Sequence, residues 1–182
     1  MMTSVDSIWR RLDAHLLTVD GANSEMGPPA SDAKLALCEA ALSVTLPSAF
    51  RESLRCHDGV GRILFLVGSY RLWPIDEIVR LNQRMRSLHI KNEFCSGDKS
   101  GHVKDLLDNP LWILFGDDGG TSTLAVDLDP GEKGTPGQII EQFEDETVVL
   151  ANGILEFLER VVTEIESGDR VWDAEAGGWS TI

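Results

Sequence analysis

The chain has 182 residues, 42% of them hydrophobic and 25% charged, which is the size and balance of one compact soluble domain with an ample core. No apolar run approaches the roughly 18 residues a membrane span needs, residues 1–15 mix Asp and Arg where a signal peptide would be greasy, and Cys38, Cys56 and Cys95 are too few and too scattered for a disulfide framework or a zinc site. The net charge of −14 is lopsided: residues 1–104 carry 13 Lys+Arg against 12 Asp+Glu, net +1, whereas residues 105–182 carry 3 against 18, net −15. Such a surface repels nucleic acid and attracts a basic protein partner. Reduced thiols in a cytoplasmic protein are expected.

In chain order, Val5, Ile8, Trp9, Leu12 and Leu16 recur at helical spacing and predict an amphipathic helix over 5–17. A loop follows through Pro29, and Ser31 caps a second helix whose buried face is Leu35, Cys38 and Leu42. Leu46-Pro47 opens a third helix, with Pro47 at its first position, Phe50 and Leu54 inward, and Gly59 as the left-handed stop. Arg62 to Val67 and Tyr70 to Trp73 predict a hairpin about Gly68-Ser69. Pro74 opens a fourth helix, with Ile75, Ile78, Val79, Met85 and either Leu81 or Asn82 turned inward. Lys91 to Asn109 has no periodicity and reads as a long exposed loop.

The organising stretch is Trp112 to Leu158. Trp112 to Phe115 is an apolar strand ending at the turn Gly116 to Gly120. Ser122 to Leu128 alternates as a half-buried strand does. Gln138 to Phe143 and Thr147 to Leu150 form a hairpin about Glu144-Asp145-Glu146, and Asn152 is placed to cap a helix that Gly168 closes. In the tail, 169–182, Val171-Trp172 adds a short edge strand, and Gly177-Gly178-Trp179 is either docked or frayed.

This order of signals resembles the SUKH superfamily, named after the yeast cell-wall-assembly regulator (the Smi/Knr type) and its bacterial relatives, over roughly Ser31 to Gly168. The residues that carry the resemblance are Glu39 ahead of Leu46-Pro47, then Phe50, Leu54 and Gly59; Leu72 to Ile78; Trp112; Asp118-Gly119; Leu124 to Pro130; Gly134 with Gly137 to Ile140; and Ala151 leading to Phe157-Leu158. The chain departs from the family at Leu114, where a proline is usual, and at Thr121, Ser122 and Thr123, where the family favours Gly, then Asn or Asp, then an aromatic. The resemblance implies a single α+β domain, a curved, mostly antiparallel sheet of about six strands flanked by helices. It also implies a binding role: bacterial members are immunity proteins that neutralise toxins, often nucleases, and fungal members regulate cell-wall assembly.

The catalytic alternatives fit the residues less well. Asp117, Asp118, Asp127, Asp129 and Glu132 suggest a calcium loop or a paired-carboxylate hydrolase, yet a strand interrupts them, and Asp and Gly are what tight turns select. His15, His57, His89 and His102 match no ligand spacing, and Cys56-His57 are helical neighbours that point apart. The two aspartates beside Gly116 to Gly120 would repel a phosphate. The expectation is therefore a non-enzymatic domain without cofactor or metal, a monomer whose partner is a basic toxin and neither nucleic acid nor membrane. Its expected binding face is Asp117, Asp118, Asp127, Asp129, Glu144, Asp145 and Glu146. Trp112 and Trp73 support it from the core, the Trp112 indole N–H seeking an acceptor such as Asp118 or Asp127. The alternative is a regulatory scaffold in cell-wall assembly.

Overall fold

The computed structural model describes residues 4–19, 25–60, 65, 67–88, 100–144 and 146–182. The first helix, α1 (Val5–Leu16), starts at a reciprocal cap: the Ser7 N–H donates to Ser4 Oγ and the Ser4 N–H to Ser7 Oγ, which satisfies two of the donors a helix start leaves open. Its stripe Val5, Ile8, Trp9, Leu12 and Leu16 is buried. Ser31 caps α2 (Asp32–Leu42) by accepting the Lys34 N–H. In α3 (Ser48–Cys56) Pro47 sits one position earlier than expected, as the flanking residue rather than the first helical one. The proline ring has no polar group to offer as a cap, and Glu39 fastens the approach instead: its carboxylate accepts the Leu46 N–H just ahead of Pro47 at 2.9 Å and pairs with Arg51 at 3.0 Å.

Helix α3 stops at His57, in extended conformation, two residues before the expected glycine. Gly59 does another job. Its φ is +77°, and a Cβ there would fall 2.3 Å from the Pro74 nitrogen, so the chain crosses the entry of the next helix where no side chain fits. That helix, α4 (Ile75–Ser87), again begins after a proline, and buried Asp58 supplies the cap by accepting the Ile75 N–H at 2.7 Å.

The main sheet is an antiparallel meander in the order β1 (Arg71–Leu72), β2 (Trp112–Asp117), β3 (Ser122–Asp127), β4 (Gln138–Phe143) and β5 (Glu146–Ala151). Bulges between Leu114 and Gly116 and between Ile139 and Ile140 bend it. Of the expected hairpin about Gly68-Ser69 the described residues show one antiparallel bridge, Val67 to Tyr70, and β1 pairs with β2; residues 61–64 and 66 lie outside the described residues. The last helix, α5 (Ile154–Ser167), packs on β4, β5, α1 and α3. Asn152 does not cap it: Gly153 is the flanking residue, and Glu156 reaches back to accept both the N–H and the Nδ2 of Asn152. Gly168 closes the helix, as expected, with φ +84°.

Helices cover one face of the sheet, where Ile113, Leu124, Val126 and Ile139 join the main core. The other face is covered too. Val103 packs there with Trp112, Ala125 and Ile140, and Leu106, Leu114 and Val149 surround them. The segment from 100 to 109, expected as part of an exposed loop, thus closes a second small core, and β3 is buried on both faces rather than on one, with Ala125 and Asp127 both at 0% exposure. Residues 91–99, with Cys95, lie outside the described residues.

The tail is docked. Strands β6 (Arg170–Asp173) and β7 (Gly178–Thr181) form a separate ribbon on which Trp172 and Trp179 face each other edge to face, their centroids 5.6 Å apart, with Trp179 buried. The architecture is α+β, with five strands in the main sheet and two in the ribbon among the described residues. Among the described residues no helix is long and apolar enough to cross a membrane.

Candidate functional site

In an antiparallel meander alternate connections emerge at the same end. The β2–β3 and β4–β5 turns therefore lie together, and the β3–β4 connection lies at the opposite end, about 20 Å away for six residues of strand. This divides the expected acidic face. Asp117, Asp118, Glu144 and Glu146 share one end; Asp127 and Asp129 are at the other; Asp145 lies outside the described residues.

The opposite-end acids serve the fold. Asp127 is fully buried and cannot face a partner: its Oδ1 accepts the Asp129 N–H at 2.9 Å and its Oδ2 accepts Gln138 Nε2 at 2.8 Å. Burial pushes its carboxyl above the usual range, against the opposing pull of the Gln138 and Asp129 hydrogen bonds. Trp112 lies across from Asp127 in the strand register; its indole N–H makes no hydrogen bond of good geometry but lies near enough to favour the ionised carboxylate. Gln138 also donates to the His102 carbonyl at 3.0 Å, so this hub fastens the 100–109 segment over the sheet. Hydrogen bonds from Lys104 and Asn109 hold Asp129 below the ordinary carboxylate range.

At the near end, Asp117 is half-buried and occupied. Its Oδ2 takes Arg71 at 2.7 Å and the Trp73 indole N–H, and its Oδ1 takes the Gly119 N–H at 2.8 Å. Trp73, buried at 6% exposure, therefore braces this turn from the core. Asp118 Oδ1 accepts the Gly120 and Ser122 N–H groups, closing the turn. Glu144, at φ +52°, and Glu146 are exposed and form no ion pair among the described residues.

Exposed apolar side chains accompany those acids, and the sequence pattern did not single them out. Phe143 and Val148 are 44% and 45% exposed. The register sets Phe143 opposite Glu146 and Glu141 opposite Val148, so the four alternate acid and apolar on one face of the β4–β5 hairpin. The only hint was position: a Phe ending a strand beside a charged turn. Tyr70 adds its hydroxyl, which donates to Glu141 at 2.7 Å; burial first, and this bond second, raise its pKa. Beyond Asp117 an open cleft of about 610 Å³ is lined by Phe65, Arg71, Glu77, Arg80 and Gly119, with Glu77 3.6 Å from both arginines.

The nucleophile candidates are quiet. Burial pushes the thiols of Cys38 and Cys56 up to about 11, far from the thiolate range. His57 turns to Asp13 and the Gly27 carbonyl, not to Cys56. Among the described residues no three Asp, Glu, His or Cys side chains gather as a metal site would require.

The model of the SMI1 / KNR4 family (SUKH-1) matches residues 29–160. The chain belongs to this family. It is also 31% identical over 153 residues to the cell wall biosynthesis/cell cycle regulator smi1 of Schizosaccharomyces pombe, a match covering 74% of this chain and 30% of the relative's length. The SUKH-1 family includes immunity proteins and fungal cell-wall regulators, and its members act through protein contacts. Three of the residues that carried the resemblance to SUKH proteins prove to be fasteners of the fold: Glu39 holds the Leu46 N–H and Arg51 at the approach to α3, Gly59 makes room for Pro74, and Gly134, where a Cβ would fall 2.1 Å from the His102 carbonyl oxygen, lets the second core close. The matched span begins after α1.

Proposed function

We propose that this SUKH-1 domain works by binding a protein and not by catalysis, as a cytoplasmic immunity protein that neutralises a basic, nuclease-type toxin. The observation that carries the reading is exposed acid beside exposed apolar surface at one end of the sheet, Glu144 and Glu146 next to Phe143 and Val148, with no ion pair to either acid among the described residues. Interfaces combine apolar anchors with a polar rim, and negative charge there speeds the approach of a positive partner. A nuclease fits because its own substrate groove must be positive. The face is narrower than the acidic composition suggested, since Asp127 is internal and Asp117 is taken by Arg71 and Trp73.

The test is the double change Glu144→Lys and Glu146→Lys, with association to a basic nuclease-type toxin domain followed at low and moderate salt. Association slows roughly tenfold or more at low salt, and the difference shrinks as salt screens it. An unchanged rate in a folded variant sinks the reading. A second reading, a regulatory scaffold in cell-wall assembly, is favoured by the likeness to the fission-yeast regulator. Purification of the tagged chain from its host separates the two: a toxin domain supports the first reading, and enzymes or regulators of wall synthesis support the second.

A further inference from the structure

Helix α1 lies outside the family-matched span yet is fastened to the body at three points: Trp9 Nε1 donates to Ser53 Oγ at 3.0 Å, Arg11 pairs with Glu159 and Glu166, and His57 meets Asp13. The third is chemically unlike the others. His57 follows the last residue of α3, and both of its ring nitrogens face acceptors: Nδ1 is 3.2 Å from the Gly27 carbonyl oxygen, and Nε2 is 3.2 Å from Asp13 Oδ2 and 3.1 Å from Asp13 Oδ1. A carbonyl and a carboxylate have no proton to give. A neutral imidazole, protonated on one nitrogen, satisfies one of these contacts and sets a lone pair against oxygen at the other. The imidazolium satisfies both.

We infer that His57 is held as an imidazolium clamp, joining α1 and the segment at Gly27 to the end of α3, so that α1 is held more firmly in mildly acid than in alkaline solution. The surrounding charges agree. Asp6, Arg10, Asp13 and Arg55 line the cleft beside His57, but Arg10 pairs with Asp6 at 2.7 Å and Arg55 with Asp32 at 2.7 Å. Asp58, next in sequence, turns to Lys34 and the Ile75 N–H. Among the described residues a backbone carbonyl is what meets His57 from the Gly27 side, Asp13 is the charge it answers, and Asp13 Oδ1 has no other partner. The Trp9 ring packs edge-on against the imidazole, the ring centroids 5.0 Å apart.

Burial pulls the imidazolium's pKa down, but the Asp13 hydrogen bond, its charge and the Gly27 carbonyl together raise it above the ordinary histidine value. For a histidine raised on folding, the stabilisation is fully present below the unfolded value of about 6.5 and is lost as pH rises through the higher folded value. Each unit of elevation is roughly a tenfold change in the population of the clamped state.

The experiment is a nitrogen-15 NMR titration of the histidine rings of the full chain over roughly pH 5–9, together with amide exchange of Ile8 and Leu12 corrected for intrinsic base catalysis. His57 titrates above about 6.5 with both nitrogens protonated on the acid side, and Asp13→Asn lowers its midpoint. Corrected exchange in α1 is several-fold faster on the alkaline side, and His57→Gln abolishes that dependence. A wild-type midpoint at or below about 6.5 overturns the clamp. So does a midpoint unmoved by Asp13→Asn, which serves even where His57→Gln fails to fold.

Discussion

The side-chain amide of Asn82 pairs with both backbone groups of Leu114: Nδ2 donates to the Leu114 carbonyl at 2.8 Å, and Oδ1 accepts the Leu114 N–H at 3.0 Å. It stands where a neighbouring strand would, because β1 reaches only Gly116 and Asp117 on β2. Nδ2 also donates to the Ile78 carbonyl at 2.8 Å, so one buried side chain ties α4 to the sheet beside its bulge. Asn82→Leu keeps the size and removes the pairing, leaving two polar groups of Leu114 unmatched. The expected loss is about 2–4 kcal/mol, read from urea unfolding. A loss under about 0.5 kcal/mol would mean that water replaces the amide.

Asp58 caps α4 across a gap in sequence, and Lys34 neutralises it at 2.6 Å. Asp58→Ala removes the cap and leaves the Ile75 N–H without its acceptor, at an expected cost of about 1–3 kcal/mol. Asp58→Asn keeps an acceptor oxygen and costs less. Equal losses in chemical denaturation would show that the charge, not the cap, matters.

The Asp127 hub has a pH signature. Its carboxyl is raised by burial, so the folded state binds the proton more tightly than the unfolded chain, and this group's contribution falls as pH climbs from about 3.9 through the raised value. Carboxyl carbon-13 shifts place its midpoint above the ordinary aspartate range. Asp127→Asn turns an amide toward the Gln138 amide that now donates to it, and the expected cost at neutral pH is about 1–3 kcal/mol.

Two glycines separate steric from conformational demands. Gly134→Ala drives a Cβ to 2.1 Å from the His102 carbonyl oxygen, a backbone atom that cannot step aside, and costs roughly 2 kcal/mol or more while loosening the 100–109 segment. Gly168→Ala meets nothing within 4 Å and is strained only by its φ of +84°, for about 1 kcal/mol. Thermal unfolding of the pair orders them, and limited proteolysis near His102 reports the loosening.

Much of the secondary structure was legible because its causes are local. The stripe of α1, the Ser31 cap, the Gly168 stop and the β4–β5 hairpin follow from spacing and turn chemistry that act over a few residues. The acidic imbalance of the second half was equally plain, as was the ordered set of motifs that placed the chain among SUKH proteins.

Where each acid points was settled by the third dimension alone. Asp127 and Asp117 look alike in a string of carboxylates, yet strand parity and the 100–109 cover bury the first, while Arg71 of β1 and Trp73 just beyond it claim the second. Helix starts behaved the same way: Pro47 and Pro74 announce helices they cannot cap, the cap at Ile75 comes from Asp58, 17 residues earlier, and Glu39, 7 residues earlier, holds the Leu46 N–H just ahead of Pro47. Local propensity acts between neighbours, and so it can be read along a chain. Burial, charge pairing and the two acceptors around His57 depend on segments far apart in sequence meeting in space, and only folding brings them together.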